Sequence, residues 1–117
     1  MKVQDIIEIL KAEVLVEGNL DEEVKTACGS DMMSDVLAYV KDQAVLLTGL
    51  VNSQVIRTAE MMDMNCIVFV RSKMPTAEMT ELAKESGIVI LATDKRMYEA
   101  CGLLYSNGLV GNRVKNV

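Results

Sequence analysis

Histidine and tryptophan are absent from the 117 residues, which include one proline, one phenylalanine, three tyrosines and three cysteines. Without histidine there is no Ser-His or Cys-His nucleophilic pair. A zinc site would have to draw on widely separated cysteines and carboxylates instead of the usual His/Cys spacings. Cys28, Cys66 and Cys101 are odd in number, form no Cys-x-x-Cys pair and sit among apolar or small neighbours, the pattern of reduced, packed thiols. Aromatics at 3% supply no stacking platform for single-stranded nucleic acid. Basic residues are also in deficit, 12 against 17 acidic, and the net charge of −5 argues against a nucleic-acid partner or an anionic membrane surface. No apolar run is long enough to span a bilayer, and the opening Met1-Lys2-Val3-Gln4-Asp5 has charge where a signal peptide would be apolar. A cytoplasmic protein is expected. No Gly-x-x-x-x-Gly-Lys-Ser/Thr occurs, and no motif specifies a cofactor.

What is present is a chain 50% hydrophobic and 25% charged, sufficient for one domain burying roughly two-thirds of its unfolded surface. Three continuously apolar runs, 44–48, 66–70 and 88–92, begin at a regular spacing, and continuous rather than alternating apolarity marks strands buried on both faces. The segments between them, 52–62 and 76–85, have the length of crossover helices, so the spacing predicts right-handed βαβ units. Further helices are expected over 3–11 and 95–105, with shorter strands over 13–16 and 24–28. The fold class is therefore α/β, a single domain with a mixed or largely parallel sheet flanked by helices. Its core should include Val45, Leu47, Ile67, Phe69, Val89 and Leu91. The domain is expected to span 1–110, with 111–117 as a flexible tail. Methionine, at nine residues, fills core volume that aromatics would otherwise occupy.

The stretch 28–38 combines a glycine turn with a helix start dense in small polar groups. Read as a helix from Ser30, it sets Asp31, Ser34 and Asp35 on one face and Met33, Val36, Leu37 and Val40 on the apolar one. Ser30 or Asp31 would be the N-cap. Asp35, one turn further in, gains less from the helix dipole and is the stronger site candidate. A parallel sheet also gathers polar residues at the carboxyl ends of its strands, where open α/β folds bind ligands: Thr48 and Asn52, then Arg71, Ser72 and Lys73, then Thr93 and Asp94. Arg71 and Lys73 suit a phosphate or carboxylate, whereas Thr93 and Asp94 read as caps of the following helix. Whether Gly29 and Ser30 reach the same edge is left open by the sequence.

The run from Gly29 to Ala38, Gly-Ser-Asp-Met-Met-Ser-Asp-Val-Leu-Ala, resembles the Gly-Asp-x-x-Ser-Asp-Val-x-Ala stretch of stand-alone DRTGG-domain proteins. The resemblance extends through Leu47-Thr48-Gly49-Leu50, the 66–70 strand, the 82–93 region and Leu104-Tyr105-Ser106-Asn107-Gly108-Leu109. The Thr-Gly-Gly that it would set after the central strand reads Val70-Arg71-Ser72 here. The resemblance implies an α/β fold similar to the N-terminal domain of bacterial HPr kinase/phosphorylase, without the kinase domain. It also implies a non-catalytic, regulatory or small-ligand-sensing role toward a metabolic or redox enzyme partner. Two alternatives stay open: a homo-oligomeric assembly protein, with a homodimer expected, and an enzyme using Asp31, Asp35 or Asp94 as acid or base. The ligand expected is a small anion.

Overall fold

The structure, a computed structural model, describes residues 1–40 and 43–111. The three apolar runs form β3 (Ala44–Thr48), β4 (Cys66–Phe69) and β5 (Val89–Ala92), and every residue in them is buried. They pair in parallel, and β2 (Thr26–Gly29) extends the parallel set on the β3 side. At the opposite edge β1 (Glu13–Val16) runs antiparallel to β5, with an irregularity between Val14 and Val16. The sheet order is β1-β5-β4-β3-β2. The result is the expected single α/β domain with a mixed, mostly parallel sheet.

Period-two alternation divides the interior into two cores. Leu46, Ile67, Phe69 and Ile90 pack beneath α2 (Met33–Tyr39), α3 (Ser53–Met61) and α4 (Ala77–Ser86). Val45, Leu47, Val68, Val89 and Leu91 pack beneath α1 (Val3–Leu10) and α5 (Met97–Ser106). All six residues expected in the core lie there, divided between the two faces. Local chemistry sets the helix ends. Thr76 Oγ1 accepts from Met79 N at 3.2 Å to start α4, which ends at Gly87 with φ +71, a left-handed closure that glycine adopts without strain. Asn52, offered above as a ligand residue, is the N-cap of α3, its Oδ1 accepting from Gln54 N at 2.8 Å.

Several expectations are corrected. The α2 helix begins at Met33, not at Ser30, and its N-cap Met32 provides no side-chain bond. Ser30 instead accepts from Met32 N at 3.0 Å in a local turn, a competing use of a hydroxyl near its own backbone. Asp31 therefore lies outside the helix and shares no helical face with Ser34 and Asp35. Asp35 falls in the first turn, where the dipole favours a carboxylate, so its position has an ordinary helical explanation. Leu37 is exposed and does not join the apolar stripe. Neither Thr93 nor Asp94 caps α5, whose N-cap is Arg96 with no side-chain bond. The buried Thr93 hydroxyl donates to Leu10 O at 2.9 Å instead, joining the end of β5 to the end of α1. The tail expected over 111–117 lies outside the described residues from 112 onward.

One feature of the topology places the site. The chain leaves β2, β3 and β4 toward helices on one face, but leaves β5 toward α5 on the other. Neighbouring strands whose connections part to opposite faces open a crevice at their carboxyl ends.

Candidate functional site

An open cleft of about 770 Å³ lies at that edge, within the range typical of small-molecule sites. Three segments build it: Gly29 at the end of β2 with Ser30 and Asp31 after it, Val70 and Arg71 after β4, and Asp94, Arg96, Met97 and Tyr98 where β5 passes into α5.

The floor is set by Asp31. Its Oδ1 accepts from Gly49 N at 2.7 Å and from Thr48 Oγ1 at 2.9 Å, and Thr48 Oγ1 in turn accepts from Leu50 N at 3.1 Å. The Gly49 amide above all, helped by the Thr48 hydroxyl and the Arg71 guanidinium, holds the Asp31 carboxyl below its ordinary range against a smaller opposing effect of burial. The other carboxylate oxygen, Oδ2, stands 4.0 Å from Arg71 Nη2. The ion pair is half exposed, and alone would add little to stability. Its effect is positional, because the guanidinium lies against Gly49 in the space a side chain at that residue would fill.

Arg71 and Ser72 both adopt left-handed backbone, φ +58 and +56, and Lys73 N closes the turn onto Val70 O at 3.1 Å. Non-glycine residues rarely take this conformation. Here it is fixed from outside: Arg71 N donates to Lys95 O at 2.8 Å and Ser72 N to Thr93 O at 2.9 Å. The β4–α4 turn and the β5–α5 loop are thus one hydrogen-bonded unit, and the two backbone donors are used within it.

On the α5 side, the first-turn amides have no side-chain cap, so that end of the helix presents partial positive charge. Among the described residues the side chains of Arg96 and Asp94 have no hydrogen-bond or ion-pair partner, whereas Lys95 pairs with Glu99 at 3.6 Å. Tyr98 is 92% exposed at the cleft margin. Gly29 has a steric reason to be glycine: a Cβ there would come within 2.6 Å of Cys101 Sγ and 3.1 Å of Met97 Sδ. Cys28 packs on the opposite core from Cys101, so the two thiols flank the sheet rather than meet. Burial pushes both thiols up, and the fully buried Cys66 to about 12.

Of the residues singled out from the sequence, Gly29, Ser30, Asp31, Arg71 and Asp94 come together in this cleft, and Thr48 supports it from below. Ser72 and Thr93 line an adjoining hollow of about 480 Å³ that shares Asp94. Ser34, Asp35 and Asn52 lie outside both. Sequence reasoning missed Arg96 and Tyr98 because it began α5 two residues early, which turned a loop arginine and a first-turn tyrosine into ordinary helix surface. No group of three or more Cys, Asp or Glu side chains among the described residues is arranged to hold a metal ion. No helix among them is long and apolar enough to cross a membrane.

Among curated proteins none matches the chain. Among solved structures, the chain is similar to the regulatory region of Clostridium perfringens pyrophosphatase, its CBS and DRTGG domains crystallised with the activator diadenosine tetraphosphate. The TM-score is 0.76 at 17% identity, covering 98% of this chain and 51% of that one. At that identity the likeness is one of fold, and the chain spans about half the length of the structure it matches. The family model for the DRTGG domain matches residues 5–106, nearly the whole of the folded unit just described, and the chain belongs to the DRTGG domain family.

Proposed function

We propose that this chain is a non-catalytic regulatory domain that senses a small anionic ligand in the cleft between β4 and α5 and passes its occupancy to a metabolic or redox enzyme in the cytoplasm. The observation that carries the reading is the pair of arginines on the cleft: Arg71, positioned over Gly49 by Asp31, and Arg96, without a partner among the described residues, at the uncapped start of α5. Paired guanidinium groups are the usual protein answer to phosphate and carboxylate. The regulatory region of the similar pyrophosphatase was crystallised with a nucleotide activator, a precedent for a phosphate-bearing effector. Asp31 does not serve as the acid or base of an enzyme in this reading, because its carboxylate is committed to Thr48 and Gly49. Ser34 and Asp35, exposed on α2, would face a partner protein rather than the ligand.

The test is thermal unfolding of the full chain against nucleotides, phosphorylated metabolites and carboxylates. A ligand at a hundredfold excess over its Kd adds about 2.7 kcal/mol of apparent stability, a rise of several degrees. Arg71→Ala with Arg96→Ala should abolish that rise and leave the unliganded transition nearly unchanged. A response retained by the double variant, or no response to any anion, overturns the reading. A homodimer is favoured by the outer side of α5, where Gly102 has open space above it and Tyr105 is exposed. A chain that stays monomeric in solution at high concentration would remove that reading.

A further inference from the structure

The cleft is not a simple anion hole. Its two arginines are matched by two carboxylates, Asp31 and Asp94, so the formal side-chain charge of its lining is zero. A bare polyanion such as inorganic phosphate would be attracted by one pair and repelled by the other, and has no donors with which to satisfy Asp94. Asp31 is already answered by its own Thr48 and Gly49, whereas Asp94 has no partner among the described residues. A ligand suited to this lining therefore carries, on one molecule, an anionic group for the guanidinium groups and a hydroxyl or amino donor for Asp94.

A third feature narrows it. Tyr98 is one of only three tyrosines in a chain with 3% aromatic residues, and it stands 92% exposed on the margin of the same cleft. An exposed aromatic ring beside arginines is suited to a flat, polarisable partner, because stacking on its face adds a favourable contact that hydration of the ring does not. Building on the regulatory reading above, we infer that the ligand is a nucleoside phosphate: phosphate on Arg71 and Arg96, a ribose hydroxyl on Asp94, and the base stacked on Tyr98.

The experiment is calorimetric titration of the full chain with each of the four common ribonucleoside triphosphates and with inorganic triphosphate, in the presence of Mg²⁺. At least one nucleotide should bind about tenfold or more tightly than inorganic triphosphate, the discrimination one stacked base supplies. Tyr98→Ala should remove that margin while leaving triphosphate binding as it was, and Tyr98→Phe should keep it. The side chain is almost wholly in solvent, so neither substitution threatens folding. If triphosphate binds as tightly as every nucleotide and both need Arg71, the nucleoside inference fails and the anion-sensing reading stands. If a nucleotide margin survives Tyr98→Ala, the stacking assignment is wrong and the inference fails. If neither kind of ligand binds, both fail together.

Discussion

The guanidinium of Arg71 rests against the backbone of Gly49, occupying the volume in which a side chain at Gly49 would stand. The two residues lie just past the carboxyl ends of adjacent parallel strands, β4 and β3, and the close approach is possible only because position 49 ends at Cα.

Gly49→Ala should consequently separate folding from recognition. The group in the way is the far end of a flexible arginine, which can swing into solvent, so stability should change by no more than about 0.5 kcal/mol. Ligand affinity should fall about tenfold or more, because the guanidinium loses its fixed position and with it a charge-assisted contact. Melting curves and titrations on the same preparation check both halves. A variant that unfolds, or that binds as wild type, contradicts the arrangement.

Asp31 should act oppositely, through stability. Asp31→Ala leaves the buried Gly49 amide without its acceptor, and an orphaned buried donor costs about 1–3 kcal/mol. Asp31→Asn keeps an amide oxygen for Thr48 and Gly49 and removes only the charge, so it should cost less. The pH dependence follows from the lowered carboxyl. A carboxyl with a depressed folded-state pKa stabilises the fold above its unfolded value, near 3.9, and that contribution is lost as pH falls through the folded value. Wild type should thus exceed Asp31→Asn in stability at neutral pH, with the gap closing below about pH 4. Denaturant midpoints across pH 3–7 measure it, and a gap that widens in acid would refute the assignment.

The legible part of this molecule is the part governed by hydrophobicity alone. The runs at 44–48, 66–70 and 88–92 read as doubly buried strands because no residue in them compromises with water, and they occupy the centre of the sheet. What could not be read is where polar side chains go when two uses compete. Asp31 has the chemistry of an N-cap, yet it is drawn to an amide and a hydroxyl 18 and 17 residues away. Thr93 has the chemistry of a cap for α5, yet it bonds Leu10, 83 residues distant. That long-range bond, with the one from Arg71 N to Lys95 O, holds residues 93–95 as loop and delays α5 until Met97. The two-residue delay puts Arg96 and Tyr98 on the cleft. Site geometry here depends on tertiary hydrogen bonds that no local pattern encodes, which is why five candidate residues converge and Arg96 and Tyr98 went unseen.

Gly29 offers a test of how α5 is seated. A Cβ at this position would meet Cys101 Sγ at 2.6 Å and Met97 Sδ at 3.1 Å. The methionine can adjust by rotating along its chain, but the cysteine sulfur is held two bonds from the helix backbone, with a single side-chain torsion, and has less room to move. Gly29→Ala should therefore destabilise the domain by about 1–3 kcal/mol, the usual cost of adding a methyl to a packed site. If that cost comes from the Cys101 sulfur, Cys101→Ala removes the obstacle: the double variant should be more stable than Gly29→Ala alone, with a coupling of about 1 kcal/mol or more in a double-mutant cycle. Cys101→Ala by itself loses only a half-buried thiol and should cost about 1 kcal/mol or less. Strict additivity of the two substitutions would mean that the first turn of α5 shifts as a unit instead. Nucleotide or anion binding would then fall in Gly29→Ala and remain low in the double variant, because the arginine and tyrosine of that turn would have moved with it.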